Sequence, residues 1–156
     1  MEGLLEALQA LPAAEALRSA RWSYALVSAG HLLGIALLVG AILPLNLRLL
    51  GFWSSVPLEA MARPLVVVSA SGLFIAACFG LLLFSVRAPE YAALGVFQIK
   101  LALIFLGTGL ALRFHWRYGF LVARAPSRAR TFHGCLSLLC WLGALICGRL
   151  IAFAGV

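Results

Sequence analysis

Three histidines, a lysine and an arginine stand in or beside apolar stretches, and their types set the chemistry open to this chain. His31 stands in SAGHLLGIALLVG, Ser28 to Gly40, with Gly30 and Gly34 beside it. Lys100 stands in FQIKLAL, His115 in RFHWR, His133 in TFHGC and Arg149 in CGRLIAF. An imidazole among apolar residues is either a metal or haem ligand or one partner of a hydrogen bond between helices. At about 100° per residue, Tyr24, Ser28, His31 and Leu38 share one face of a helix, with Gly34 and Ala41 at its edge. Gly30 and Gly34 remove bulk beside the imidazole. That is clearance for a flat macrocycle, or else a GxxxG packing contact. A lysine offers a point charge or, with a lowered pKa, an amine ligand, whereas an arginine can grip a carboxylate with two bonds.

The elements that must position these groups follow from composition. The chain has 156 residues, of which 64% are hydrophobic and 11% charged, and its mean hydropathy is +1.08. A soluble domain of this length cannot hide so much apolar surface. The apolar residues form four blocks, about 22–47, 64–86, 96–112 and 132–153, each about long enough for a hydrocarbon core of ~30 Å. Backbone polar groups in lipid must bond to one another, and the alternation of barrel strands is missing, so the blocks are helices. The expectation is an all-α, up-down four-helix membrane bundle forming a single domain over 1–156. Ahead of it, Leu4, Leu8 and Leu11 recur at helical spacing among Glu2, Glu6 and Gln9. They predict an amphipathic surface helix over about 2–18, broken near Pro12. The chain opens without the basic stretch of a secretory signal. Ser69, Gly72, Ala76 and Gly80 form a small-residue stripe suited to close packing on the second span.

Charge predicts orientation. Arg48, Arg63, Arg113, Arg117, Arg124, Arg128 and Arg130 gather at one set of helix ends, while Arg18, Arg21 and Arg87 flank the other beside Glu2, Glu6, Glu15 and Glu90. The arginine-rich ends are expected in the cytoplasm of a bacterium whose inner membrane holds the protein, with both termini outside. The net charge of +7 fits this signal together with attraction to anionic membrane lipid. No nucleic-acid motif surrounds the arginines, so no nucleic-acid partner is expected. His31 then lies ~13 Å below the outer interface, since it is nine residues past Trp22. Lys100 and Arg149 share its outer layer, and His115 and His133 form an inner one. Arg149 and His133 point ~160° apart on their helix, so they cannot serve one site. Lone ionisable groups at these depths cost about 2.5–3.5 kcal/mol each on insertion scales. Lys100 and Arg149 can relieve that cost by snorkelling, and His115 and His133 by sitting at the interface. His31 is too deep and too short for either.

Other chemistry is poorly equipped. Cys78, Cys135, Cys140 and Cys147 form no CxxC pair and read as small buried hydrophobes. The only methionines are Met1 and Met61, which leaves copper transport without thioether ligands. All five acidic residues are expected outside the spans, so hydrolytic pairs have no place inside the bundle.

The segments GHLLGIALLVGAILPLNLRLLG and FQIKLALIFLGTGLALRFHWR resemble a family of small four-helix bacterial membrane proteins, and CGRLIAF resembles that family too. More distantly, His31 with Gly34, and Lys100 within QIKLAL, are similar to the HemJ-type protoporphyrinogen oxidases and to CopD-like membrane domains. The chain's length and its fourth helix depart from the HemJ pattern. The resemblance implies haem b, its iron held by His31, with Gly30 and Gly34 beside it. By their depth Lys100 and Arg149 are expected to pair with the haem propionates, or Lys100 to supply the sixth ligand, and His115 is a further expected cofactor-side residue. The function expected is electron transfer or oxidation of a membrane-soluble quinol or porphyrinogen, by an enzyme of HemJ-like oxidoreductase type. Quinone or a redox protein would be its partner, and the small-residue stripes also admit a homo-oligomer. Two other classes stay open: a cofactor-free assembly subunit, and a small transporter of a metal or solute.

Overall fold

A computed structural model describes residues 2–119, 122 and 124–153. Among the described residues the chain is all-helical: α1 (Glu2–Gln9), α2 (Pro12–Ser19), α3 (Arg21–Leu49), α4 (Leu58–Val86), α5 (Ala88–Ala93), α6 (Gly95–Tyr118) and α7 (Ser127–Ile151). Four of them, α3, α4, α6 and α7, are long and apolar enough to cross a membrane. The surface helix is present as two, with the break at Ala10–Leu11 and Pro12 opening the second. A proline there gives up a donor that the first turn leaves unpaired anyway. The side chain of Leu4, one of the stripe leucines, lies outside the described residues.

The boundaries differ most on the second span. Pro64 was expected to mark its start, yet α4 begins at Leu58 and carries Pro64 within it, as α3 carries Pro44. A proline costs a helix one bond and some crowding, which a long apolar helix with packed neighbours absorbs. As a result Glu59, expected outside the spans, falls in the first turn of α4.

The spans alternate in direction, so α5 and the ends of α3, α4, α6 and α7 nearest it form one pole of the molecule. Arg48, Arg63, Arg113, Arg117, Arg124, Arg128 and Arg130 lie at the other. Around the bundle the helices pack in the order α4, α3, α7, α6. The tightest contact is α3 on α4. A Cβ at Gly34 would lie 2.8 Å from Ala76 Cα and 2.9 Å from the Gly72 carbonyl oxygen, and a Cβ at Gly72 would lie 2.8 Å from the Gly34 oxygen. No side chain fits at either position, so the two backbones meet directly. Between α6 and α7 the fit at Gly107 is close but rests on side chains: a Cβ would lie 3.2 Å from both Cys140 Cβ and the Trp141 ring. Between α3 and α7, Asn46 Nδ2 donates to Ser137 Oγ at 2.9 Å, with both residues buried. At the arginine-rich pole Leu45, Leu49, Leu58, Ala62, Phe114, Val122 and Ala125 form a buried apolar cluster.

The short helices are tied down at the opposite pole. Arg18 donates from Nη1 to the Val86 carbonyl at 3.2 Å and from Nη2 to the Gln9 carbonyl at 2.9 Å. Those oxygens belong to the last turns of α4 and α1, where carbonyls lack helical partners and the dipole favours a cation.

Candidate functional site

His31 sits in mid-helix on α3, and the local sequence fixes its ring. Gly80 on α4 lies opposite: a Cβ there would come 2.9 Å from His31 Cε1 and 3.2 Å from Nδ1. The notch lets the imidazole lie flat against α4, where Nδ1 meets the Ala76 carbonyl oxygen at 2.8 Å. A carbonyl only accepts, so the proton of the neutral ring is on Nδ1 and the lone pair is on Nε2. This interhelical bond also gives one nitrogen of a half-buried ring its partner. Gly30 and Gly34 do not open space beside it. A Cβ at Gly30 would meet the Phe79 ring at 2.7 Å, and Gly34 is filled by the α4 backbone. The two glycines therefore serve packing of α3 on α4.

Lys100 comes from α6, and its tip reaches Gly148 on α7: a Cβ at Gly148 would lie in ordinary contact, 3.7 Å from Lys100 Cε and Nζ. His31 and Lys100 line the same cavity, of about 160 Å³, together with Tyr24, Leu83, Phe84, Tyr91, Phe97 and Ile151. Four spans and α5 thus contribute to it. The aromatic wall is preassembled: Phe84 and Phe97 stack at 5.2 Å with 4° between planes, and Tyr91 lies 6.5 Å and 6.1 Å from them. Tyr91 is on α5, and burial, followed by the nearby Tyr24 phenol, holds its hydroxyl above the usual phenol pKa. It stays a protonated donor at neutral pH.

Two of the residues expected at the site stand elsewhere. Arg149 follows Gly148 by one residue, which turns it by about 100°. Its side chain is exposed, with the guanidinium 4.8 Å over the Phe153 ring. His115 lies fifteen residues beyond Lys100 on α6, ~22 Å along the axis. It accompanies His133 and Phe114 at the arginine-rich pole, where the His133 and Phe114 rings stack at 4.1 Å. Sequence reading had passed over Gly148, Phe84, Phe97 and Tyr91, and had treated Gly80 as packing alone. The i, i+3 pairs Phe97–Lys100 and Gly148–Ile151 were the available signal, since each puts two lining residues on one face.

The donor set fits a haem iron. A ligating histidine commonly gives its second ring N–H to a backbone carbonyl, as His31 does. The space does not fit a haem. A cavity of about 150 Å³ holds one benzene-sized ring, and sites for larger ligands run to about 300–1,000 Å³. A porphyrin has four such rings, and the glycine cradle expected to receive it is filled by α4. Among the described residues no group of three His, Cys, Asp or Glu side chains gathers to hold a metal ion by itself. No family model, curated protein or solved structure matches the chain. The functional reading therefore rests on the residues and their geometry.

Proposed function

We propose that this membrane protein binds an oxygen-bearing single-ring ligand of the quinone–quinol class in the cavity shared by His31 and Lys100. The observation that carries this reading is the Nδ1 bond to Ala76, which leaves the Nε2 lone pair to a residue that lines a ring-sized cavity. Nε2 accepts the hydroxyl proton of a quinol, the Lys100 ammonium donates to the carbonyl of a quinone, and Phe84 and Phe97 flank the ring. The positive-inside bias supports a cavity in the outer half of a bacterial inner membrane, with both termini outside.

A second reading, haem b on His31, is favoured by the same donor geometry. Iron would supply one-electron chemistry there, with Lys100 as propionate partner or sixth ligand. It requires α4 or α6 to move outward. One preparation tests both. Purified protein is expected to be colourless after expression in haem-replete cells and to bind a short-tailed quinone saturably. In His31→Leu that affinity should fall about fivefold, as for one lost hydrogen bond worth ~1 kcal/mol. A Soret band that disappears in His31→Ala would hand the site to haem instead. A colourless protein that takes up no quinone would leave His31 as a helix-packing residue in an assembly subunit.

A further inference from the structure

The cavity is closed by helix packing on three sides. α4 packs on α3, α3 on α7 and α7 on α6, but among the described residues no Cα of α4 comes within 8 Å of a Cα of α6. Packed helices stand about 8–10 Å apart axis to axis, with Cα atoms closer than that at the contact, so α4 and α6 do not pack. Side chains bridge their two ends. At the α5 pole the bridge is Phe84, Tyr91 and Phe97. At the arginine-rich pole Leu58, Ala62, Leu65 and Val66 of α4 share a cluster with Phe114 and Tyr118 of α6. The seam between those ties lies at bilayer depth and runs past the cavity. Leu83 and Gly80 line the cavity from α4. On α6, Ile104 follows Lys100 by one turn on the same face. Between Lys100 and Arg113 on α6, and between Arg63 and Arg87 along α4, the helices carry no charged residue, so charge is confined to the ends of the seam.

We infer that this seam is the entry to the cavity from the membrane, and that the ligand is a ring carrying a long apolar tail that lies between α4 and α6. The inference rests on the ring-binding reading above and specifies its substrate class: an isoprenoid-tailed quinol rather than a water-soluble phenol. A ring without a tail would reach His31 past the aromatic bridge and α5. A tailed one is already dissolved in the lipid that borders the seam.

The test uses the full chain in vesicles of bacterial phospholipid and a quinone with a photoreactive diazirine midway along its tail. After illumination the labelled peptides are mapped by mass spectrometry. Labels are expected on α4 between Leu73 and Leu83 and on α6 between Lys100 and Thr108. Excess unmodified quinone should compete them away, and both His31→Leu and Lys100→Met should lower them about fivefold, as one lost hydrogen bond would. The two variants guard against one of them failing to fold. Competed labelling confined to α1, α2 or α5 would overturn the seam while keeping the ring site. Labelling that neither competitor nor variant reduces would overturn the ring site and the seam with it.

Discussion

At the scale of single residues, Gly80 decides how the imidazole sits. A Cβ there would crowd the His31 ring at 2.9 Å, whereas the tip of Lys100 lies at ordinary contact distance from Gly148, and both polar side chains turn inward without displacing a helix. The phenol beside them gives a testable pH dependence. Tyr91 has its pKa raised, by burial first and by Tyr24 second. The folded chain therefore holds that proton more tightly than the unfolded chain does. The resulting stabilisation is complete below the unfolded phenol value of about 10 and is lost as pH rises through the folded one. Melting followed by circular dichroism in detergent, from about pH 8 to about pH 11, should show a steeper alkaline loss for wild type than for Tyr91→Phe. Parallel curves for the two proteins would remove Tyr91 from the buried wall.

At the scale of elements, the contact of α3 with α4 is the one that the site depends on. It sets the height of His31 against Ala76, and it exists because Gly34 and Gly72 let two backbones touch. Gly34→Leu should destabilise the protein by about 1–3 kcal/mol, the usual cost of overpacking, and more if the helices separate. Gly40 lies six residues on along α3 and faces open space, where an added Cβ meets nothing within 4 Å. Gly40→Leu should leave stability within about 0.5 kcal/mol, as an unhindered surface change does. Reversible unfolding in mixed detergent measures both. Equal effects at the two positions would mean that α3 and α4 are not held by that contact.

At the scale of the whole molecule, the two poles differ in kind. One carries seven arginines and a buried apolar cluster, while the other carries the short helices, the Arg18 clamp and the cavity. The positive-inside bias predicts that the arginine pole faces the cytoplasm. A chain lacking its four native cysteines and carrying Ser127→Cys should react with a membrane-impermeant maleimide in inverted vesicles and not in intact spheroplasts. Reaction in spheroplasts alone would reverse the orientation and put His31 in the cytoplasmic half.

Composition and block length determined the helical membrane fold by themselves, because apolar segments of that length in lipid have no other way to pair their backbone groups. Depth along each helix was legible too, since rise per residue is constant, and it already put His31 level with Lys100. Direction was not. Arg149 shares that depth yet turns outward, and Gly30 and Gly34 looked like clearance until α4 filled them. Whether a notch beside a histidine is empty depends on which helix faces it, and four apolar helices can be arranged in several orders that satisfy the same hydropathy. The order α4, α3, α7, α6 was decided by where a glycine on one helix meets a close-fitting partner on the next, backbone in Gly34 with Gly72 and a ring in Gly107 with Trp141. Such a match is a property of pairs of positions far apart in the chain, so it appears only once the helices are packed.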